Sequence, residues 1–231
     1  MTSVLSKKVA AGSTHLVVDM PVGSSAKVRS SEDAERLSGS FQTVSEALGL
    51  NTQVVVTDGR QPVGRGIGPA LEAFDVLGVL HNEASSPADL RKRSLDLAGA
   101  VLELGGAAQP GQGVAQATRT LDGGDALAKF QEICEAQGGR REPPRAPHKL
   151  SIVASHAGRI GAVDNRKLAR VAKLAGAPAA PAAGVEIHVR LGAEIARGDP
   201  LYTIHAESPG ELDYASQYAA AQSDILVVFE E

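Results

Sequence analysis

The sequence predicts an α/β fold: a βαβ-containing mixed sheet with flanking helices, followed by a small α+β C-terminal domain. Three observations carry this. Apolar, β-branched runs at residues 16–20 and 53–57 bracket an amphipathic helical pattern, and strand, helix, strand at that spacing implies a parallel pair. Residues 138–147 hold glycine, arginine and three prolines with no apolar periodicity, which marks a linker. Beyond it the pattern changes to short alternating runs that suit a separate, smaller domain.

Taken in order, residues 1–8 read as the end of a helix. No N-cap or amphipathic lead-in precedes them, as if an upstream part were missing. The first strand ends at Pro21 and Gly23. Ser31, followed by Glu32 and Asp33, is the expected helix N-cap, and Ala34, Leu37, Phe41, Val44 and Leu48 continue that helix to Gly49. A glycine-rich turn with Gly64, Gly66 and Gly68 opens a helix over 69–80. Pro87 leads into a helix over 89–104, and a further helical pattern over 113–135 breaks near Gly123 and Gly124. After the linker come a strand over 150–154, a basic amphipathic helix over 165–174 and an Ala/Pro connector over 175–183. Strands over 185–189 and 200–205 flank a turn-rich bridge at 192–199, and a helix over 211–221 precedes a last strand over 224–229. The expected division is 1–12 as the remnant of a helical domain, 13–137 as an α/β domain, 138–148 as linker and 149–231 as the C-terminal domain.

Composition narrows the function classes. Hydrophobic residues make up 43% of 231, which suits a packed core and not a disordered chain. The apolar runs fall well short of the roughly 18–20 residues of a spanning helix, and no secretory leader pattern is present. A formal charge of −4 and an aromatic content of 3% without tryptophan argue against nucleic-acid binding. The expected partners therefore include no nucleic acid and no membrane, and the expected location is the cytoplasm. The single cysteine, Cys134, excludes an intrachain disulfide and reads as core packing in a helix.

The candidate chemistry is sparse. Gly64, Gly66 and Gly68 are spaced GxGxG and not GxGxxG, and no Walker lysine follows. Close approach of backbone between helix and sheet explains them, or carbonyls facing a bound cation with Asp75 further along the helix. The strands around the Gly192-to-Asp199 bridge resemble the half-barrel of biotinyl and lipoyl carriers, but the modifiable lysine is absent, which leaves a scaffold. None of the six histidines has metal-ligand spacing. His188 and His205 read as surface or cross-strand residues, and His156 sits at a strand end where it could act. Ser3 and Lys7, four apart, would share one face of a helix, a hydroxyl beside an ammonium.

Three stretches carry a resemblance. Ser3-Val-Leu-Ser-Lys7 with the following Lys-Val-Ala-Ala-Gly12, then Leu16-Val-Val-Asp-Met-Pro-Val-Gly23, then Thr57-Asp-Gly-Arg-Gln-Pro-Val-Gly-Arg-Gly-Ile-Gly-Pro-Ala-Leu-Glu72, are similar to the thymidine/pyrimidine-nucleoside phosphorylase family. Ser155-His-Ala-Gly-Arg-Ile-Gly161 and residues 192–204 resemble its C-terminal domain. The proline-containing variants are closer to the branch of thymidine phosphorylases that also holds archaeal AMP phosphorylases. The resemblance implies reversible phosphorolysis, thymidine plus phosphate giving thymine and 2-deoxyribose 1-phosphate, by a pentosyltransferase of pyrimidine salvage that acts as a homodimer. It implies that Ser3 and Lys7 bind the nucleobase, with Lys7 catalytic. It implies phosphate as co-substrate, no required cofactor, and a monovalent K+ or Na+ site at the carbonyls of Val63 and Gly66 with the carboxylate of Asp75. Asp75 stands where the family often has glutamate. The family's phosphate loop lies upstream of the base-binding helix and has no counterpart in this sequence. The chain is therefore expected to be inactive alone and to belong to an active, longer parent. The alternatives are an AMP phosphorylase, giving adenine and ribose 1,5-bisphosphate, or a non-catalytic module that docks a separate N-terminal chain.

Overall fold

A computed structural model describes residues 2–222 and 224–229, with Thr2 and Ser3 described by their helical backbone alone. The elements run α1 (Thr2–Ala10), β1 (His15–Val22), α2 (Ser31–Ala47), β2 (Asn51–Asp58), β3 (Gly66–Ile67), α3 (Pro69–Leu80), α4 (Ala88–Leu104), α5 (Gly113–Asp122) and α6 (Asp125–Ala136). They continue β4 (His148–Val153), β5 (Gly158–Val163), α7 (Asn165–Leu174), β6 (Gly184–Ile187), β7 (Glu194–Ile195), β8 (Pro200–Ala206), α8 (Pro209–Ala221) and β9 (Leu226–Phe229). The α/β class expected from the sequence is what the chain adopts. The mixture lies between sheets: one is parallel and the other two, among the described residues, are antiparallel. Among the described residues no helix is long and apolar enough to cross a membrane.

Packing divides the chain into two compact units, neither continuous in sequence: Met1–Gly59 with Arg91–Lys129, and Arg60–Leu90 with Phe130–Glu231. In the first, β1 and β2 pair in parallel from His15↔Asn51 to Val22↔Asp58, joined by α2. Leu5, Met20, Ala34, Phe41 and Leu50 form its core, so one face of α1, one of α2 and the strands bury together. The cap of α2 is Ser30, not Ser31 as expected. Ser30 is extended (φ −134°, ψ 159°), so its hydroxyl accepts from Asp33 N, whereas Ser31 is already helical.

The second unit is built on β3-β6-β8-β4 and β7-β5-β9. Its core joins Ile160, Leu168, Val171, Val185 and Ile204. Asp164 caps α7 by accepting from Arg166 N and Lys167 N at 2.9 and 3.0 Å. The apolar face of α7, with Leu168, Val171 and Ala172, is buried. On its polar face Lys167 pairs with Asp224, which raises the lysine pKa and lowers that of the aspartate. Strand β5 was not expected from the sequence. Gly161 conceals it: the Phe229 ring of β9 lies 2.1 Å from where a Cβ would stand, so this strand carries no side chain where a period-2 pattern would show one.

Candidate functional site

In the first unit, helix α1 is anchored by Leu5, 1% exposed in the core, while Lys7 is exposed to solvent. Spacing puts Ser3 on the same face, but its side chain lies outside the described residues. Among the described residues the Lys7 ammonium has no hydrogen bond or ion pair, so its charge is available to a ligand. At the C-terminal end of the parallel pair, the Thr57 hydroxyl donates to Asp19 Oδ1 at 2.5 Å. Arg93, from α4, donates to Asp19 Oδ2 at 3.2 Å and to the Asp58 carbonyl at 2.9 Å. The carboxyl ends of parallel strands are where α/β sheets usually bind ligands. Arg93 was not singled out in the sequence. It lies 74 residues from Asp19, and no local pattern joins them.

In the second unit, the Gly64–Gly68 turn is a crossing point of backbone. Gly68 has φ +135° and an added Cβ would meet the Ala183 carbonyl at 2.3 Å, while one on Gly66 would meet the Leu71 backbone at 2.4 Å. Only glycine permits β3 to lie between α3 and β6 so closely. The expectation of close approach between helix and sheet is thus met. Asp75 Oδ2 accepts from Arg65 N at 2.6 Å and Gly66 N at 2.8 Å, with Arg65 Nε 3.9 Å from Oδ1. Gly66 meets Asp75 through its N–H. Two other carbonyls of the turn serve a guanidinium: Arg190 donates to Pro62 O at 3.1 Å and Gly64 O at 2.7 Å, and stands 3.2 Å from Asp89 Oδ2. Among the described residues no group of three or more His, Cys, Asp or Glu is placed to hold a metal. A monovalent ion at Val63, Gly66 and Asp75 would have to use carbonyls together with Asp75 Oδ1, beside Arg65. That ion site is a proposal.

The histidines divide by environment. His205 is 4% exposed, with Nε2 3.4 Å from Glu186 Oε2, so it is a buried cross-strand residue and not a surface one. The His205 ring holds the Glu186 carboxyl below its ordinary pKa. His188 Nε2 lies 2.7 Å from Thr203 Oγ1, itself 3.1 Å from Ser151 Oγ. His156 Nδ1 lies 2.9 Å from the neighbouring Ser155 hydroxyl, exposed to solvent. Cys134 is half-buried on α6, a helix without a buried residue, which corrects the expectation of core packing.

Residues 159–226 match the family described as the pyrimidine nucleoside phosphorylase C-terminal domain. The whole chain is 58% identical to a protein of Polaromonas sp. strain JS666 named "Putative thymidine phosphorylase", of which it covers 45%. Proteins of the same type from Acidovorax sp. strain JS42 and Maricaulis maris strain MCS10 are 56% and 55% identical over the whole chain, which covers 45% and 44% of them. The chain thus spans less than half the length of the curated relatives it matches. These similarities are those of a C-terminal portion of the thymidine/pyrimidine-nucleoside phosphorylase family, whose C-terminal domain residues 159–226 match.

Proposed function

We propose that this chain supplies the base-binding part of a longer pyrimidine-nucleoside phosphorylase, and that Lys7 and Ser3 hold the departing base. The observation that carries this reading is identity of 55–58% over the whole chain to relatives named as thymidine phosphorylases. An unpartnered ammonium on a helix pinned by Leu5 supports it.

In the reaction, a phosphate oxygen attacks the sugar C1′ as the bond from C1′ to the base nitrogen breaks. The electron pair leaves with the base, and the products are a pentose 1-phosphate and a base that takes up a proton. The sugar carbon becomes oxocarbenium-like, and negative charge spreads over the ring nitrogen and the base oxygens. The Lys7 ammonium interacts most strongly when that charge has developed, so it stabilises the transition state more than the bound nucleoside. The Ser3 hydroxyl donates to the base and fixes its orientation. Asp19, Thr57 and Arg93 tie β1, β2 and α4 together within the first unit. Phosphate is bound by residues of the longer protein, which acts as a cytoplasmic homodimer.

The isolated 231-residue chain is expected to be inactive. A parallel sheet of two strands supports this, because parallel sheets are normally larger and covered on both faces. Release of base from thymidine, uridine and AMP with and without phosphate, by the longer protein and by this chain, tests the proposal. Phosphate-dependent release by the 231-residue chain alone would refute the claim of inactivity. Release from AMP only would move the reading to AMP phosphorolysis.

A further inference from the structure

The second unit contains a polar cleft of about 520 Å³, which the base-binding reading does not use. That volume lies within the roughly 300–1,000 Å³ of small-molecule sites. Arg140, Arg145 and Lys149 join the lining from the linker and the start of β4; α3 and the glycine turn contribute Phe74 and Arg65.

The charges in the cleft are unevenly satisfied. Arg65 donates to the Ser85 carbonyl and faces Asp75, whose Oδ2 already accepts two backbone N–H groups. Glu186 faces His205. Arg145 lies over the Phe74 ring, 4.5 Å from its centroid, a contact that attracts the charge but fills none of the guanidinium N–H donors. Among the described residues the Arg145 and Lys149 side chains make no hydrogen bond or ion pair. Arg140 stands 3.7 Å from Glu142, too far for a hydrogen bond. Three cations with donors to spare therefore share the cleft lining with Glu142 and Glu83. His205 Nε2 is buried in the cleft wall, 3.4 Å from Glu186 Oε2, and so holds that carboxylate at the cleft.

We propose that this cleft binds a phosphate monoester of a small polyhydroxy compound, of the size of a pentose phosphate. Arg145 and Lys149 grip the phosphate, and Arg140 turns from Glu142 to join them; guanidinium and ammonium groups both match phosphate oxygens. Glu83 and Glu186 accept from the hydroxyls. Arg145 already occupies a face of Phe74, so the cleft offers a sugar a polar wall and denies a nucleobase that stacking surface. Lys7 belongs to the other unit and is not among the residues that line this cleft.

The test is calorimetric titration of the 231-residue chain with ribose 5-phosphate in low-salt buffer without phosphate. Saturable one-to-one binding is expected, with competition by inorganic phosphate and no binding of ribose. Arg145→Gln should weaken it by about tenfold or more, the loss expected for a charge-assisted contact, and Lys149→Gln likewise. Lys7→Ala should leave it unchanged. Lys149 is exposed, so its variant keeps the test valid if Arg145→Gln melts early. Absence of saturable heat up to about 10 mM, where even weak binding of a few kcal/mol registers, would overturn the proposal. So would wild-type affinity in both cleft variants, or equal binding of ribose.

Discussion

Arg190 ties the carbonyls of Pro62 and Gly64 to the carboxylate of Asp89 and so holds the turn to the start of α4. Lysine keeps the charge but cannot span three acceptors with one planar fork. Arg190→Lys should lower stability by about 1.5–3 kcal/mol, the worth of hydrogen bonds to a charged group, as read by urea unfolding. An unchanged midpoint would mean that the guanidinium does not hold the turn. Leu5→Ala, at a core position 1% exposed, should cost about 2–5 kcal/mol and loosen the helix that carries Lys7. These residues differ in how far the sequence discloses them. Lys7 is marked by its spacing from Ser3 and by the family resemblance. Arg190 and Arg93 act through partners 126 and 74 residues away, and nothing in their neighbourhoods signals either contact.

Helix α7 is where local pattern and tertiary structure agree best. Asp164 precedes the helix, basic residues line one face, and Leu168 and Val171 on the other are fully buried. Leu168→Ala should cost about 2–5 kcal/mol, because a buried side chain is removed and the cavity closes only in part. A loss below about 1 kcal/mol in thermal or urea unfolding would show that this unit's core does not rest on α7. The parallel β1–β2 pair was equally legible, since two apolar runs bracket a helix of the right length. Strand β5 was not. Its glycines remove the alternation by which a strand is read, and the aromatic ring that fills the place beside Gly161 comes from β9. The two-residue strands β3 and β7 are too short to leave any period, and they exist only because a partner strand pairs with them. Candidate chemistry followed the same division: one helix face could be read locally, whereas the cleft assembled from α3, the linker, β6 and β8 could not.

At the scale of the molecule, two compact units share one chain, and each has its own core. The second carries a pH signature. Burial pushes the Tyr202 hydroxyl pKa up from 10.0 to about 12. A buried acid with a raised pKa favours the folded state while protonated. That contribution is fully present below pH 10.0 and is lost as pH rises toward about 12. Tyr202→Phe should flatten the fall in melting temperature across this window; an identical fall in the variant would remove Tyr202 as its cause. On the acid side, Glu186 has a depressed pKa, so its stabilising contribution is present above the ordinary carboxylate range and is lost as pH falls through the lowered value. In the first unit, Lys7 is proposed to stabilise the departing base. This role is tested most directly by phosphate-dependent release of thymine from thymidine by the longer protein, with Lys7 intact and as Lys7→Ala. Turnover should fall by about 100- to 1,000-fold, the usual loss when one donor to a developing charge is removed, with the melting temperature unchanged because Lys7 is exposed. Near-normal turnover in a correctly folded Lys7→Ala protein would contradict the account.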